Sequence, residues 1–456
     1  MSRKACITEW HPEDEVFWER TGRRVARRNL WLSVLSEHIG FSVWSMWSVL
    51  VLFMSPEIGF DFTKAEKFLL VVTPTLVGAV LRLPYSSAVA RFGGRNWTVF
   101  ASGVLLVPCT LSAYFVQRPG TPLWVFLLIG ALAGVGGGNF ASSMTNITRF
   151  YPQRHQGWAL GLNAGGGNLG VAFVQLLGLL VIATAGSAHP SYVAAVYLPL
   201  IACVTVLAAV KMDNLATVDR ARGALREAAA HPDTWWISLL YVGTFGSFIG
   251  YGFAFGLVLQ NQFDSTALEA ASAIFVGPLL GSLSRPLGGW LADRYGGARV
   301  TLWNFLGMSV GTAVLLTASL QGSFALFVAA FTLLFVLTGL GNGSTYKMIP
   351  AVHAAEAERA VADGHDTGAA YARARRRSGA VIGIAGAIGA LGGVAINLAF
   401  RIAYGSWGSG TVAFAVFLGY YGLCMLLVWA VYLRPRPEPV LAEVPRSARQ
   451  RSIVRV

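Results

Sequence analysis

Long apolar blocks separated by short polar stretches run the length of the chain. Each block is roughly 20 residues or longer, the length at which an α-helix crosses the hydrocarbon core of a bilayer. The short alternating segments of a membrane β-barrel are absent from the sequence. The pattern predicts twelve membrane helices, at residues 30–54, 66–90, 97–117, 122–150, 157–184, 191–211, 234–260, 267–292, 299–319, 323–351, 378–400 and 408–433. The stretch between the sixth and seventh, Lys211 to Pro232, is longer and carries Asp213, Asp219, Arg220, Arg222, Arg226 and Glu227. The expected organisation is a tail at 1–29, a six-helix bundle at 30–211, a linker at 212–233, a second six-helix bundle at 234–433 and a tail at 434–456. The fold class is thus an all-α membrane protein.

Composition supports this and charge adds an orientation. The chain is 55% hydrophobic and 12% charged, with a mean hydropathy of +0.56; a soluble domain is about 25% charged. A net charge of +13 raises nucleic acid as a partner. The basic residues, however, sit in the tails and in alternate loops, which is a topology signal, so no nucleic acid is expected. Arg20, Arg23, Arg24, Arg27 and Arg28 precede the first helix. Arg91 and Arg95 fall in loop 2–3, Arg154 in loop 4–5, Arg294 and Arg299 in loop 8–9, and Arg373, Arg375, Arg376 and Arg377 in loop 10–11. The opposite loops hold little beyond Lys64, Lys67, Arg118 and Arg401. Excess Lys and Arg marks cytoplasmic loops, so both termini are expected in the cytoplasm, which requires an even number of spans. Residues 1–28 are polar and the first apolar block is too long for a cleavable signal peptide; the expected location is the inner (plasma) membrane. Cys6, Cys109, Cys203 and Cys424 are scattered, and the seven histidines form no HExxH and no evident cluster. No metal, cofactor or catalytic site is expected. The basic loop Ala354–Arg377 reads as a surface helix with a solvated charged face, near anionic lipid.

An internal repeat ties the halves together. Arg82 to Arg95 reads RLPYSSAVARFGGR and Arg285 to Arg299 reads RPLGGWLADRYGGAR. With Arg82 on Arg285, Arg91 falls on Arg294, Gly93 on Gly296 and Gly94 on Gly297. Two six-helix halves related by sequence are the expectation for the major facilitator fold. GWLADRYGGAR also resembles that superfamily's loop motif; the first copy departs from it, with Val89 and Ala90 where an aspartate is expected.

Arg82 and Arg285 each lie nine residues before a loop arginine, roughly 13 Å of helix. Half the hydrocarbon core is about 15 Å, so both guanidinium groups start near the bilayer midplane. An arginine there costs about 2.5–3.5 kcal/mol on insertion scales. A buried carboxylate could neutralise it, but Glu37 is the main acid inside the spans, and one glutamate cannot pair with two arginines. A small anionic substrate is the alternative counter-charge, and the guanidinium fork suits planar oxyanions.

Two glycine clusters, each with an asparagine, lie in GVGGGNFASSM (from Gly134) and GLNAGGGNLG (from Gly161), with echoes in GLGNGSTYKMIP (from Gly339) and GIAGAIGALGG (from Gly383). Small residues let membrane helices approach closely; Gly134, Gly136, Gly137 and Gly138, then Gly161, Gly165, Gly166, Gly167 and Gly170, would give smooth faces that pack, slide or bend. Asn139, Asn163, Asn168 and Asn342 need partners in the bilayer, either other helices or an oxyanion.

These motifs closely resemble the signatures of the nitrate/nitrite porter family (NarK-type). The resemblance covers nearly the whole chain, including the deep arginines and YVGTFGSFIG. It implies that Arg82 and Arg285 clamp the anion, that Asn168 contacts it, that Tyr241 and Phe245 line the site, and that Phe140 stacks on the flat ion. Gly165, Gly166 and Gly167, and on the eleventh helix Gly386, Gly389 and Gly392, would serve helix flexing and packing. The implied partners are nitrate, nitrite, protons and the lipid bilayer, with a monomer expected to suffice.

Coupling stays open between two modes. An inside-negative potential opposes anion uptake by about 2.3 kcal/mol per 100 mV. Symport with protons or electroneutral exchange for internal nitrite would each overcome it. LSEHIGFSVWSMWS places Glu37 and His38 on the first helix; an acidic–His pair there resembles the proton-coupled branch of the family. Glu37 could instead sit near the interface and pair with Arg27 or Arg28. Rival classes are a sugar or drug facilitator, which a paired-arginine site fits poorly, a non-transporting nitrate receptor, and a membrane enzyme, for which no nucleophile–base, Walker or metal spacing is found.

Overall fold

A computed structural model describes residues 6–216 and 223–434. Twelve long helices follow one another. The first, α1, comprises Arg23–Ser45 and Trp47–Phe53. The others are α2 (Lys64–Phe92), α3 (Gly94–Phe115), α4 (Leu123–Phe150), α5 (Arg154–Ala185), α6 (Ser191–Lys211), α7 (Pro232–Phe263), α8 (Ala267–Tyr295), α9 (Gly297–Gln321), α10 (Phe324–Ala362), α11 (Thr367–Trp407) and α12 (Thr411–Leu433). Eleven, α2 to α12, are long and apolar enough to cross a membrane. α1 falls short because its helix breaks at Met46 and because Glu37, His38 and its serines dilute its apolarity. Asp219, Arg220 and Arg222 of the expected linker, and the tail from residue 435, lie outside the described residues.

Most helix edges fall within a few residues of the apolar blocks. Three helices run well past theirs. α1 starts at Arg23 rather than 30, α10 continues to Ala362 rather than 351, and α11 begins at Thr367 rather than 378. Apolarity ends where the membrane ends, but a helix needs a stop signal to end. Pro350 lies within α10 without ending it; the chain turns only at Gly364, φ +92°, and α11 opens at Asp366, whose carboxylate caps the Ala369 N–H at 2.7 Å. Ala354–Arg377 is therefore the paired ends of two spans, not a separate surface helix. The N-terminal segment also differs from a loose tail. Trp18 is buried, Trp10 donates its indole N–H to the Arg149 carbonyl at 3.1 Å, Glu15 pairs with Arg154 at 2.9 Å, and Ile7 bridges to Leu215 beside the linker.

The sequence repeat has a structural counterpart. α2 and α8 both open with a capping box, Thr63 with Glu66 and Thr266 with Glu269. Both end at a glycine of positive φ, Gly93 at +84° and Gly296 at +87°. Asn139 on α4 and Asn342 on α10 stand at the same offset from each other as Arg82 and Arg285.

Glycines set the helix contacts. A Cβ on Gly136 of α4 would stand 2.2 Å from the Gly40 carbonyl oxygen of α1, and one on Gly339 of α10 would stand 2.0 Å from that of Gly281 on α8. Gly134, Gly137, Gly138, Gly166, Gly167 and Gly170 are also crowded, each Cβ falling between 2.2 and 2.8 Å from a neighbouring atom. Gly161 and Gly165 are not: no atom lies within 4 Å of where their Cβ would be, so the packing role expected of Gly165 is corrected. It falls on a different helix face. The spacing Gly161, Gly165, Asn168, Ala172, Gln175 forms one strip along α5.

At one end of the molecule this strip meets the later helices: Gln175 donates to the Gly252 carbonyl of α7 at 2.7 Å. There too, Phe68 of α2 stacks on Phe400 and Tyr404 of α11, at 6.0 and 5.5 Å. Towards the face where α1 begins and α12 ends, the same strips separate. Gly161 and Gly165, and Gly379 and Gly383 of α11, face open space. The halves meet at the far face; towards the terminal face these glycines are uncovered, although a Cβ on Gly157 of α5 would stand 3.9 Å from the Lys347 Nζ of α10.

Gly136→Ala and Gly339→Ala are predicted to destabilise the protein by on the order of 1–3 kcal/mol through overpacking against backbone. Gly161→Ala should leave stability unchanged. Thermal unfolding in detergent checks this; equal melting temperatures for all three variants would contradict the packing account.

Candidate anion-binding site

α2 carries Arg82 into the molecule's centre, where it is 1% exposed. Its Nη1 donates to the Gly386 carbonyl of α11 at 3.1 Å. Its Nε and Nη2 have no partner. Aromatic rings take the space a carboxylate might fill: the guanidinium carbon is 4.7 Å from the Phe140 centroid, 4.8 Å from Phe245, 5.7 Å from Trp44 and 6.0 Å from Phe41. α8 carries Arg285, which donates Nη2 to the Tyr241 hydroxyl at 3.2 Å and leaves Nη1 unpartnered. Neither arginine forms an ion pair among the described residues, so pairing with a buried carboxylate does not account for them. Desolvated cation–π contacts contribute about 2 kcal/mol or more each and offset part of the several kcal/mol that burying a charged group costs, but a ring carries no net charge. The rings therefore cradle the charges without neutralising them.

Four rings form a file from one half to the other. Tyr241 stacks on Phe245 (5.1 Å, 10°), Phe245 on Phe140 (6.1 Å, 29°), and Phe140 on Phe41 (6.2 Å, 25°). Tyr241 and Phe245 are four residues apart on α7, neighbours on one helix face, and Phe245 lies in a π-helical turn at Val242–Gly246; such bulges recur at functional sites. α11 lies directly on this bulge. A Cβ on Gly389 would come 2.6 Å from the Tyr241 ring, and one on Gly392 would come 2.9 Å from Val242. A Cβ on Gly386 would meet Arg82 at 3.7 Å.

The structure thus gathers Arg82, Phe140, Phe245 and Gly386 into one cluster, and Arg285, Tyr241 and Gly389 into a second joined to it by the ring file. Asn168 is wholly buried on α5, but neither amide atom is hydrogen-bonded, so it contacts neither guanidinium directly. Of the other asparagines, Asn163 finds interhelical partners, whereas Asn139 and Asn342 are buried with both amide atoms free. Tyr346 of α10 was not foreseen. Its ring centroid lies 5.7 Å from the Arg285 guanidinium carbon and 6.3 Å from the Tyr241 ring. A phenol within the glycine-rich GLGNGSTYKMIP stretch was the available signal.

The side chains of Glu37 and His38 face different neighbours. Adjacent helical residues point about 100° apart. Glu37 is 0% exposed and faces α4 and α5; its Oε2 accepts from the Ser143 hydroxyl and, at 2.6 Å, from the Asn163 amide. Its Oε1 has no partner and lies against Gly167. His38 turns to the Gly166 carbonyl (3.1 Å) and the Phe173 ring. The interfacial pairing of Glu37 with Arg27 or Arg28 is not what forms; Arg28 pairs with Asp213 at 2.5 Å.

At the terminal face, His231, Asp233 and Glu356 bring metal-ligand atom types within 4.8 Å of one another, a cluster the spacing did not reveal. Its ligand atoms are engaged within the protein. His231 Nε2 lies 2.6 Å from Glu356 and its Nδ1 3.6 Å from Asp233, and Arg377 ties Glu356 (2.9 Å) to Glu227 (2.7 Å). The hydrogen bond from Arg377 holds the Glu227 carboxyl below its usual range. The charges of 354–377 are thus partly paired rather than simply solvated.

Residues 38–372 match the family model of the Major Facilitator Superfamily. The chain is 40% identical over 452 residues to a protein of Salmonella typhimurium named "Nitrate/nitrite transporter NarU", covering 95% of this chain and 97% of that one. It is 30% identical over 460 residues to a Thermus thermophilus protein named "Probable nitrate/nitrite antiporter NarK2", covering 95% and 97%. A solved structure of the E. coli xylose transporter XylE, partially occluded and inward open, covers 90% of this chain and 98% of its own with a TM-score of 0.64 at 14% identity, a likeness of fold alone. The chain is a multi-pass membrane protein of the major facilitator superfamily, and within it belongs to the nitrate/nitrite porter family.

Proposed function

We propose that the protein transports nitrate and nitrite across the inner membrane by alternating access, with the anion held between Arg82 and Arg285. One observation carries this reading: three guanidinium donors, Arg82 Nε and Nη2 and Arg285 Nη1, are buried without an acceptor. A trigonal oxyanion offers acceptors in one plane and a flat face to the rings. Phe140 and Phe245 are 6.1 Å apart, while a flat ion in contact with both needs about 7 Å. The rings must part by roughly 1 Å for a planar ion and by more for a tetrahedral one, which favours nitrate or nitrite over sulfate or phosphate. The amide of Asn168, buried and free, is a further donor once α5 shifts.

Residues 30–211 and 234–433 are read as two bundles that rock about this site, with the terminal face cytoplasmic as the Lys and Arg bias indicates. The crowded glycines Gly166 and Gly167 on α5, and Gly389 and Gly392 on α11, allow one helix to slide on another; Gly165 and Gly386 border the path itself. A monomer contains every group named.

For coupling we favour proton symport. Its support is Glu37, sequestered among neutral donors with one carboxylate oxygen free, the setting of a group that can exchange a proton. Exchange of nitrate for nitrite is the second reading, favoured by the name of the Thermus relative. A receptor that binds nitrate without flux is the reading from another class.

In liposomes, nitrate uptake is expected under an inward proton gradient without internal nitrite. Uptake only in liposomes preloaded with nitrite would establish exchange, and binding without flux under either condition would leave a receptor. Arg82→Lys and Arg285→Lys should each weaken nitrate binding by on the order of 100-fold, the scale of losing a buried charge-assisted contact; titration of the purified variants tests this. Glu37→Gln should abolish uptake driven by the proton gradient while nitrate still binds. Unchanged gradient-driven uptake in that variant would remove Glu37 from the coupling path.

A further inference from the structure

We infer that Tyr346 is a further anion-contacting residue, closing the site on the side of the terminal face; this rests on the nitrate reading of the arginine site. The placement follows from α10. Gly343 lets α10 lie against α8 at the clamp arginine itself, since a Cβ there would stand 2.2 Å from the Arg285 carbonyl oxygen. Three residues on, one helical turn nearer the terminal face, Tyr346 projects from the same side, which puts its ring over Arg285 and beside Tyr241. The next residue, Lys347, is partly exposed: its Nζ pairs with both oxygens of Asp293, at 2.9 Å each, and lies near Gly157 of α5. Tyr346 therefore stands between the arginine and the terminal face.

Its two ends differ. The residue as a whole is only partly buried, yet its hydroxyl is inaccessible and has no hydrogen-bond partner. The ring is thus partly exposed while the hydroxyl points inward. Arg285 Nη1, on the side chain the ring covers, is also a buried donor without an acceptor. Tyr241 does not serve both, because its hydroxyl already accepts from Arg285 Nη2. One oxyanion would satisfy the Arg285 Nη1 and Tyr346 donors together.

Tyr346→Phe separates this role from packing. Removing a buried hydroxyl that has no partner relieves a desolvation cost, so the ligand-free variant should melt no lower than the parent. Its affinity for nitrate should fall on the order of tenfold, the scale of a hydrogen bond to a charged group. The measurement is titration of the purified full-length proteins with sodium nitrate against sodium chloride at constant ionic strength, with Arg285→Lys alongside. Unchanged nitrate affinity in Tyr346→Phe, with Arg285→Lys impaired, overturns the role of Tyr346 and leaves the arginine site standing. A lower melting temperature without nitrate assigns the hydroxyl to packing and also overturns it. If the parent protein does not bind nitrate, the proposed function fails first and this inference with it.

Discussion

Two cations held at the centre of the molecule without an anion set the terms for everything around them. Arg82 and Arg285 are buried, and among the described residues neither forms an ion pair with a carboxylate. The fold lowers the cost with what a membrane interior offers: aromatic faces, a backbone carbonyl and a phenol. None carries a full negative charge, so the site remains electrostatically incomplete. The architecture serves to keep it so. The glycine contacts hold α2 against α4 and α8 against α10, fixing the depth of each arginine. α7 sets Tyr241 and Phe245 on one face, and α11 seats on its π-turn through Gly389 and Gly392.

Much of this was legible in the sequence because it depends on local rules. Apolar length gives the spans. The repeat gives the twin arginines and the turns that end α2 and α8, where only glycine adopts the positive φ without strain. The resemblance named Phe140, Tyr241 and Phe245, and the structure stacks all three.

What was not legible depends on tertiary choices. Gly165 and Gly166 are neighbours in sequence yet face open space and a packed helix. Only the position of α1 decides which. Glu37 and His38 read as a pair along the chain, but helical rotation sends them to different neighbours. The π-turn at Val242–Gly246 has no sequence mark, since a bulge is stabilised by what packs on it. The helical extensions of α10 and α11 escaped because hydropathy reports the membrane's edge and is silent on where a helix stops.

Those extensions have a mechanical consequence. From residue 351 to Ala362, α10 reaches roughly 16 Å beyond its apolar block, and α11 returns alongside it. The turn between them is capped at Asp366 and closed by Gly364. Near the base of the two arms, Arg377 and Glu356 engage Glu227 and His231 in the segment leading into α7. The two extended helix ends therefore form a continuous helical hairpin, tied by ion pairs and polar contacts to the segment that leads into α7, where a soft loop would have no such anchor.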